Sequence, residues 1–117
     1  MAHNQIKGKR KGLSVWNVGD KEYHRLYDTV IVDFNHDNEG RTVTLNTGGW
    51  KTNHTKNCMN DFLRRFGFGV YQKDFVWYVR GREVSFSFDV DKVTFTIIDT
   101  PMGLQIGNFR EEVIRSA

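Results

Sequence analysis

The stretch TNHTKNCMNDFLRRF, residues 52–66, carries a helical period inside a chain that elsewhere alternates. Cys58, Met59, Phe62, Leu63 and Phe66 recur at i, i+1, i+4, i+5 and i+8, which is one apolar face at 3.6 residues per turn. Thr52 or Asn53 is the natural N-cap, and Gly67 ends the helix where a left-handed residue costs least. Asp61 and Arg65 stand at i, i+4 and are expected to pair on the helix surface.

Toward the N-terminus, DTVIVDF (28–34) is β-branched and apolar, with Val30, Val32 and Phe34 expected on one face. NHDNEG (35–40) has turn composition, and RTVTLN (41–46) alternates around Val43 and Leu45, so the two runs predict an antiparallel hairpin. Val15, Trp16 and Val18 suggest a short strand within 13–18, while 19–27 are mixed. Toward the C-terminus, strands are expected at 68–72, 75–79, 83–88 and 92–97, with a turn at Lys73-Asp74. Val84, Phe86 and Phe88, then Val93, Phe95 and Ile97, alternate with Ser and Thr, which means one buried and one wet face. Asn108 and Glu111 have N-cap and N3 spacing, so 108–117 is expected as a short C-terminal helix or tail. Residues 1–12 are expected to form a flexible basic arm before a single domain at 13–107. The predicted class is α+β: a β-hairpin, one central amphipathic helix, then an antiparallel meander of three or four strands, in a single sheet packed on the helix.

At ~100–200 residues per domain, 117 residues make one domain. Nine Phe, four Tyr and three Trp supply a core and exclude full disorder. No apolar run reaches the ~18 residues of a membrane span, and no apolar stretch follows the basic start, so neither membrane nor secretory signal is expected. A single Cys excludes a disulfide framework. The net charge of +3 is uneven: residues 41–82 hold eight bases against two acids.

That basic segment holds the candidate binding residues. Lys51, Lys56, Arg64, Lys73, Arg80 and Arg82 can neutralise phosphate, and Trp50, Tyr71 and Tyr78 can stack on bases. Thr52 adds a hydroxyl at the helix start, after Gly48-Gly49, where backbone N–H groups are free. The order of Gly and Lys-Thr is not that of a phosphate-binding P-loop, and Gly-Gly also serves as an ordinary turn. If Trp77 and Val79 point inward with Phe75, then Val76, Tyr78 and Arg80 point outward, and Tyr71 and Lys73 can join them. His54 and Cys58 are four apart on the helix but lack further ligands, so no metal is expected. Asp33, Asp37 and Glu39 flank His36, a set that can bind Mg²⁺ or abstract a proton, but Asp37 and Glu39 fall in a turn where acids are common, and no G-x-S-x-G occurs. Neither an enzyme nor a cofactor is expected.

TVTLNTGGWKTNHTKNCMNDFL followed by FGFGVYQKDFVWYV, within residues 42–79, resembles a family of small proteins of tailed bacteriophages and prophages. The matching positions are Leu45, Thr47, Gly48, Gly49, Trp50, Thr52, Thr55, Lys56, Met59, Asn60, Val70, Tyr71, Gln72, Lys73, Asp74 and Trp77. Asn57 and Cys58 stand where the family often has a basic residue before Met-Asn. The resemblance implies a phage origin and action in the cytoplasm of a bacterial host. The expected function is a small accessory protein, monomer or homodimer, that binds nucleic acid, with single strands favoured. The alternative is an effector that binds and inhibits a host protein of defence or transcription.

Overall fold

A computed structural model describes residues 6–7 and 10–113. In chain order the elements are β1 (Ile6–Lys7), β2 (Leu13–Val18), β3 (Lys21–Leu26), β4 (Thr29–Asp37), β5 (Gly40–Asn46), α1 (Asn53–Leu63), a 3-10 turn (Arg64–Phe66), β6 (Gly69–Lys73), β7 (Val76–Arg80), β8 (Ser85–Phe88), β9 (Lys92–Thr100) and β10 (Gly103–Glu112). The α+β class and the antiparallel pairing hold, but the expected single sheet is two. One has seven strands in the order β1-β2-β3-β4-β5-β9-β10, and the other has three, β6-β7-β8.

The large sheet is a meander that β9 rejoins beside β5. Leu45 lies opposite Val93 and Val43 opposite Phe95, so both apolar sets face one core. Between β3 and β4 the register slips at His24 and Arg25 of β3, leaving Ile31 of β4 as an extra residue. Ile31 and Val32 are therefore both buried, and Val30, expected inward, is half-buried instead. β3 occupies much of the mixed 19–27 stretch, and β4 runs three residues into the expected turn.

α1 starts and stops as expected. Thr52 is the N-cap, its Oγ1 accepting from Thr55 N–H, and Gly67 takes φ 78° after the 3-10 turn. Contact with the large sheet is modest and runs through Phe62, whose ring lies 5.3 Å from Phe34 and 5.2 Å from His24. Asn60 ties α1 to the small sheet. Its Nδ2 donates to the Val70 carbonyl (3.0 Å), and Val70 N–H donates to its Oδ1 (2.6 Å). A side-chain amide here takes the place of a neighbouring strand for Val70.

Three expectations change. Asp61 pairs with Arg10 (2.7 Å) and Arg64 (3.6 Å), not with Arg65, which is drawn across to Glu22. Arg10, placed in the flexible arm, is thereby held on α1, while Ile6–Lys7 pair with β2; residues 1–5 and 8–9 lie outside the described residues. Residues 108–112 are not helix. They continue β10, with Asn108 at φ 52° in a bulge where its Nδ2 donates to Thr96 Oγ1, and residues 114–117 lie outside the described residues.

Glu22, His24 and Arg65 form a half-buried cluster. Arg65 donates to both Glu22 oxygens (3.0 and 2.9 Å), and His24 Nε2 donates to Glu22 Oε2 (2.6 Å). Burial pushes the Glu22 carboxyl up, but the hydrogen bonds from His24 and Arg65 and the Arg65 charge outweigh it and hold the pKa at about 2. A folded-state pKa below the unfolded one stabilises the fold above about pH 5, and that stability is lost as pH falls toward 2. Urea-unfolding midpoints are expected to drop across this window, and Glu22→Gln to flatten the drop; equal slopes in both proteins refute the assignment. Asn60→Ala strands two backbone groups of Val70 and is expected to cost about 2 kcal/mol, measured by urea denaturation.

Candidate nucleic-acid interface

Side chains alternate across the small sheet. Val70, Trp77, Val79 and Phe88 are buried against the core. Tyr71, Lys73, Val76, Tyr78, Arg80, Ser85 and Ser87 therefore share the opposite, outer face. Tyr71 stands directly opposite Tyr78, and their rings stack at 4.9 Å and 11°. On the other side of Tyr78 the register places Ser87, and beside Arg80 it places Ser85. Serine is too short to cover the adjoining ring, and Tyr78 is itself half-buried.

Arg64 reaches this region from the 3-10 turn. Arg64, Tyr71 and Arg80 line one cleft of about 410 Å³ with Asn60 and residues 67–70. The outer face itself presents Lys73 and Arg80 and no carboxylate from its strands. Acids lie at its margins: Asp61 is held by Arg10 and Arg64, Asp74 sits in the turn, and Glu111 of β10 lines a cleft with Ser85 and Ser87 while accepting from Asp89 N–H.

The structure thus gathers five of the ten expected residues: Arg64, Tyr71, Lys73, Tyr78 and Arg80. The other five are placed apart. Lys56 lies over the buried Trp77 ring at 5.4 Å and donates to Gln72 Oε1. Lys51 donates to the Asp89 carbonyl, and Thr52 is occupied as the N-cap. Arg82 packs by Gly103, where an added Cβ would lie 2.6 Å from its guanidinium. Trp50, 68% exposed, lines a separate cavity with Tyr27. Of the acids around His36, Asp37 is engaged in the turn: it accepts from Glu39 N–H and Asn35 Nδ2, which lowers its pKa. His54 Nε2 donates to the Lys11 carbonyl, and Cys58 is buried with its thiol pKa raised by that burial.

Phe75 is a correction. Expected inward, it is 93% exposed, because the turn is Asp74-Phe75 rather than Lys73-Asp74. Both residues have left-handed φ, 51° and 68°, as a tight two-residue hairpin turn with the strands' own twist requires. Asp-Gly suits that turn; a bulky ring does not. Phe75→Gly is expected to raise stability by about 1 kcal/mol, read as a higher urea midpoint at unchanged m; no change or a loss refutes the strain.

No curated protein and no solved structure matches the chain. The model of one protein family, described as Kyanoviridae Gp96 protein, matches residues 13–96. That span includes all of 42–79, where the phage resemblance lies. It runs from the first residue of β2 into β9 and takes in the helix, the small sheet and the stacked tyrosines, so the chain belongs to the Kyanoviridae Gp96 family of phage proteins.

Proposed function

We propose that this phage protein is a non-enzymatic accessory protein that binds single-stranded nucleic acid through the outer face of the β6–β8 sheet, in the cytoplasm of its bacterial host. The observation that carries the reading is the stacked Tyr71–Tyr78 pair, bordered by the short Ser87 and flanked by Arg64, Lys73 and Arg80. Unpaired bases expose flat faces that stack on such rings at about 1–3 kcal/mol per base, and the nearby cations meet the backbone phosphates. A duplex hides those faces, so a single strand fits better.

An effector that blocks a host protein is the second reading, and Phe75 favours it. A fully exposed aromatic ring on a strained hairpin tip is a ready anchor for a partner's pocket.

The test is fluorescence anisotropy of labelled oligothymidine titrated with the full chain at several salt concentrations. Tyr78→Ala is expected to weaken binding about tenfold or more. Arg80→Ala is expected to reduce the salt slope by about 0.7. Absent binding at low salt, or binding indifferent to salt and to Tyr78, overturns the proposal and leaves the protein-partner reading.

A further inference from the structure

A second site lies at the start of α1. A cavity of about 380 Å³ opens between the β3–β4 hairpin tip and the loop that leads into the helix. Leu26 and Ile31, both buried, form its apolar floor, and the exposed rings of Tyr27 and Trp50 line it. The Tyr27 ring and the Trp50 backbone are held in place. Tyr27 takes a left-handed φ of 52°, its N–H donates to the Gly12 carbonyl (2.9 Å), and a Cβ at Gly12 would overlap its ring. Gly48 packs on Thr29 where a Cβ would lie 2.7 Å from Oγ1, which draws the Trp50 loop against the hairpin. Buried Thr47 pins that loop by donating its hydroxyl to Asp91 Oδ1 (2.8 Å) and its N–H to the Asp91 carbonyl (2.8 Å), and Trp50 N–H donates to the Thr47 carbonyl.

The polar lining sets the ligand class. Thr52 and Thr55 hydroxyls are bonded to each other, and His54 Nε2 is bonded to the Lys11 carbonyl. Asp28 is a lining residue, is exposed, and its carboxylate has no hydrogen-bond partner among the described residues. No Lys or Arg lines it, so a phosphate group is disfavoured and a group with N–H donors is favoured. The two aromatic walls and apolar floor reward burial of a broad flat ring, whereas a strongly hydrated cation loses its water there. Among nucleobases, guanine alone offers two adjacent donors, N1–H and N2–H, that one carboxylate can accept together. Adenine and cytosine place an acceptor beside their amino group, and thymine or uracil flanks its single N–H with two carbonyl oxygens.

We propose that this cavity is a guanine-binding pocket, with Tyr27 and Trp50 covering the base and Asp28 accepting from its N1–H and N2–H edge. The base comes from a free guanine nucleotide or from an unpaired guanine in a strand. The site stands independently of the β6–β8 face.

The test is isothermal titration calorimetry of the full chain with GMP, AMP, CMP and UMP, then with oligothymidine carrying one central guanine. GMP is expected to bind at least about tenfold tighter than the other three. Asp28→Asn is expected to abolish that preference, and Trp50→Ala to weaken all four nucleotides, with circular dichroism unchanged in both variants. A guanine oligonucleotide outbinding GMP in an Asp28-dependent way assigns the source to a strand; the reverse assigns a free nucleotide. Equal binding of the four nucleotides, no GMP binding at millimolar concentration, an unaffected Asp28→Asn variant, or N-acetyl-arginine amide outbinding GMP overturns the proposal. Plain oligothymidine, which lacks guanine, reads the sheet face alone, so either site can fail without the other.

Discussion

A line of phenylalanine rings joins every layer of the molecule. Phe34 of β4 meets Phe62 of α1 at 5.3 Å and Phe66 at 5.5 Å. Phe66 meets Phe68 at 6.1 Å, Phe68 meets Phe95 of β9 at 6.3 Å, and Phe95 meets Phe109 of β10 at 6.5 Å. Phe109 stacks on Phe86 of β8 at 4.7 Å, which brings the line back to the small sheet. Each such contact adds about 0.5–1.5 kcal/mol beyond the area it buries, but continuity matters more than the sum. Two sheets that share no backbone hydrogen bonds are fixed relative to one another by this seam and by Asn60 on Val70. The outer face of the small sheet can be rigid because its inner face is seated on these rings. Phe88 packs on Trp77, and Phe75 is the one described phenylalanine the core does not take in.

The helix was legible because its signals are local. Cap, apolar period and terminal glycine all lie within residues 52–67, and no distant contact overrides them. The strands that alternate cleanly, β5 and β9, were legible for the same reason. β10 was not. The Asn108 and Glu111 spacing is a true helix-start pattern, but pairing along β9 decides the outcome, and that pairing is not written in residues 108–117. The number of sheets was hidden too, because period-2 alternation says which face is buried and not against what. In β4 one extra residue moved the phase, so a correct strand carried a wrong inward set.

Half of the expected interface came together, and the division has a physical cause. Tyr71, Lys73, Tyr78 and Arg80 are gathered by the pleat of two paired strands, so their common face followed from period and register. Lys51, Lys56 and Arg82 belong to the same basic stretch of sequence, yet charge along a chain does not specify a surface. Lys51 donates to a carbonyl, Lys56 lies over a core ring, and Arg82 packs by Gly103. Tyr27 and Asp28 were missed because their only sequence signal is position, between a mixed run and a β-branched one.

Tyr27 and Phe75 make the closing point together. Each is an aromatic at the tip of a two-residue hairpin, each beside an Asp, and each in a left-handed backbone that glycine or asparagine adopts more cheaply. Folding alone does not ask for a ring at either tip, since neither ring is buried in the core. The strain is of order 1 kcal/mol per site, small against the seam beneath it, so the fold tolerates both. A base on Tyr27 and a partner on Phe75, as proposed, would give each cost a use, and Tyr27 also packs its ring on Gly12 of this chain. The two hairpin tips are therefore the places where this fold departs from its own interest in stability.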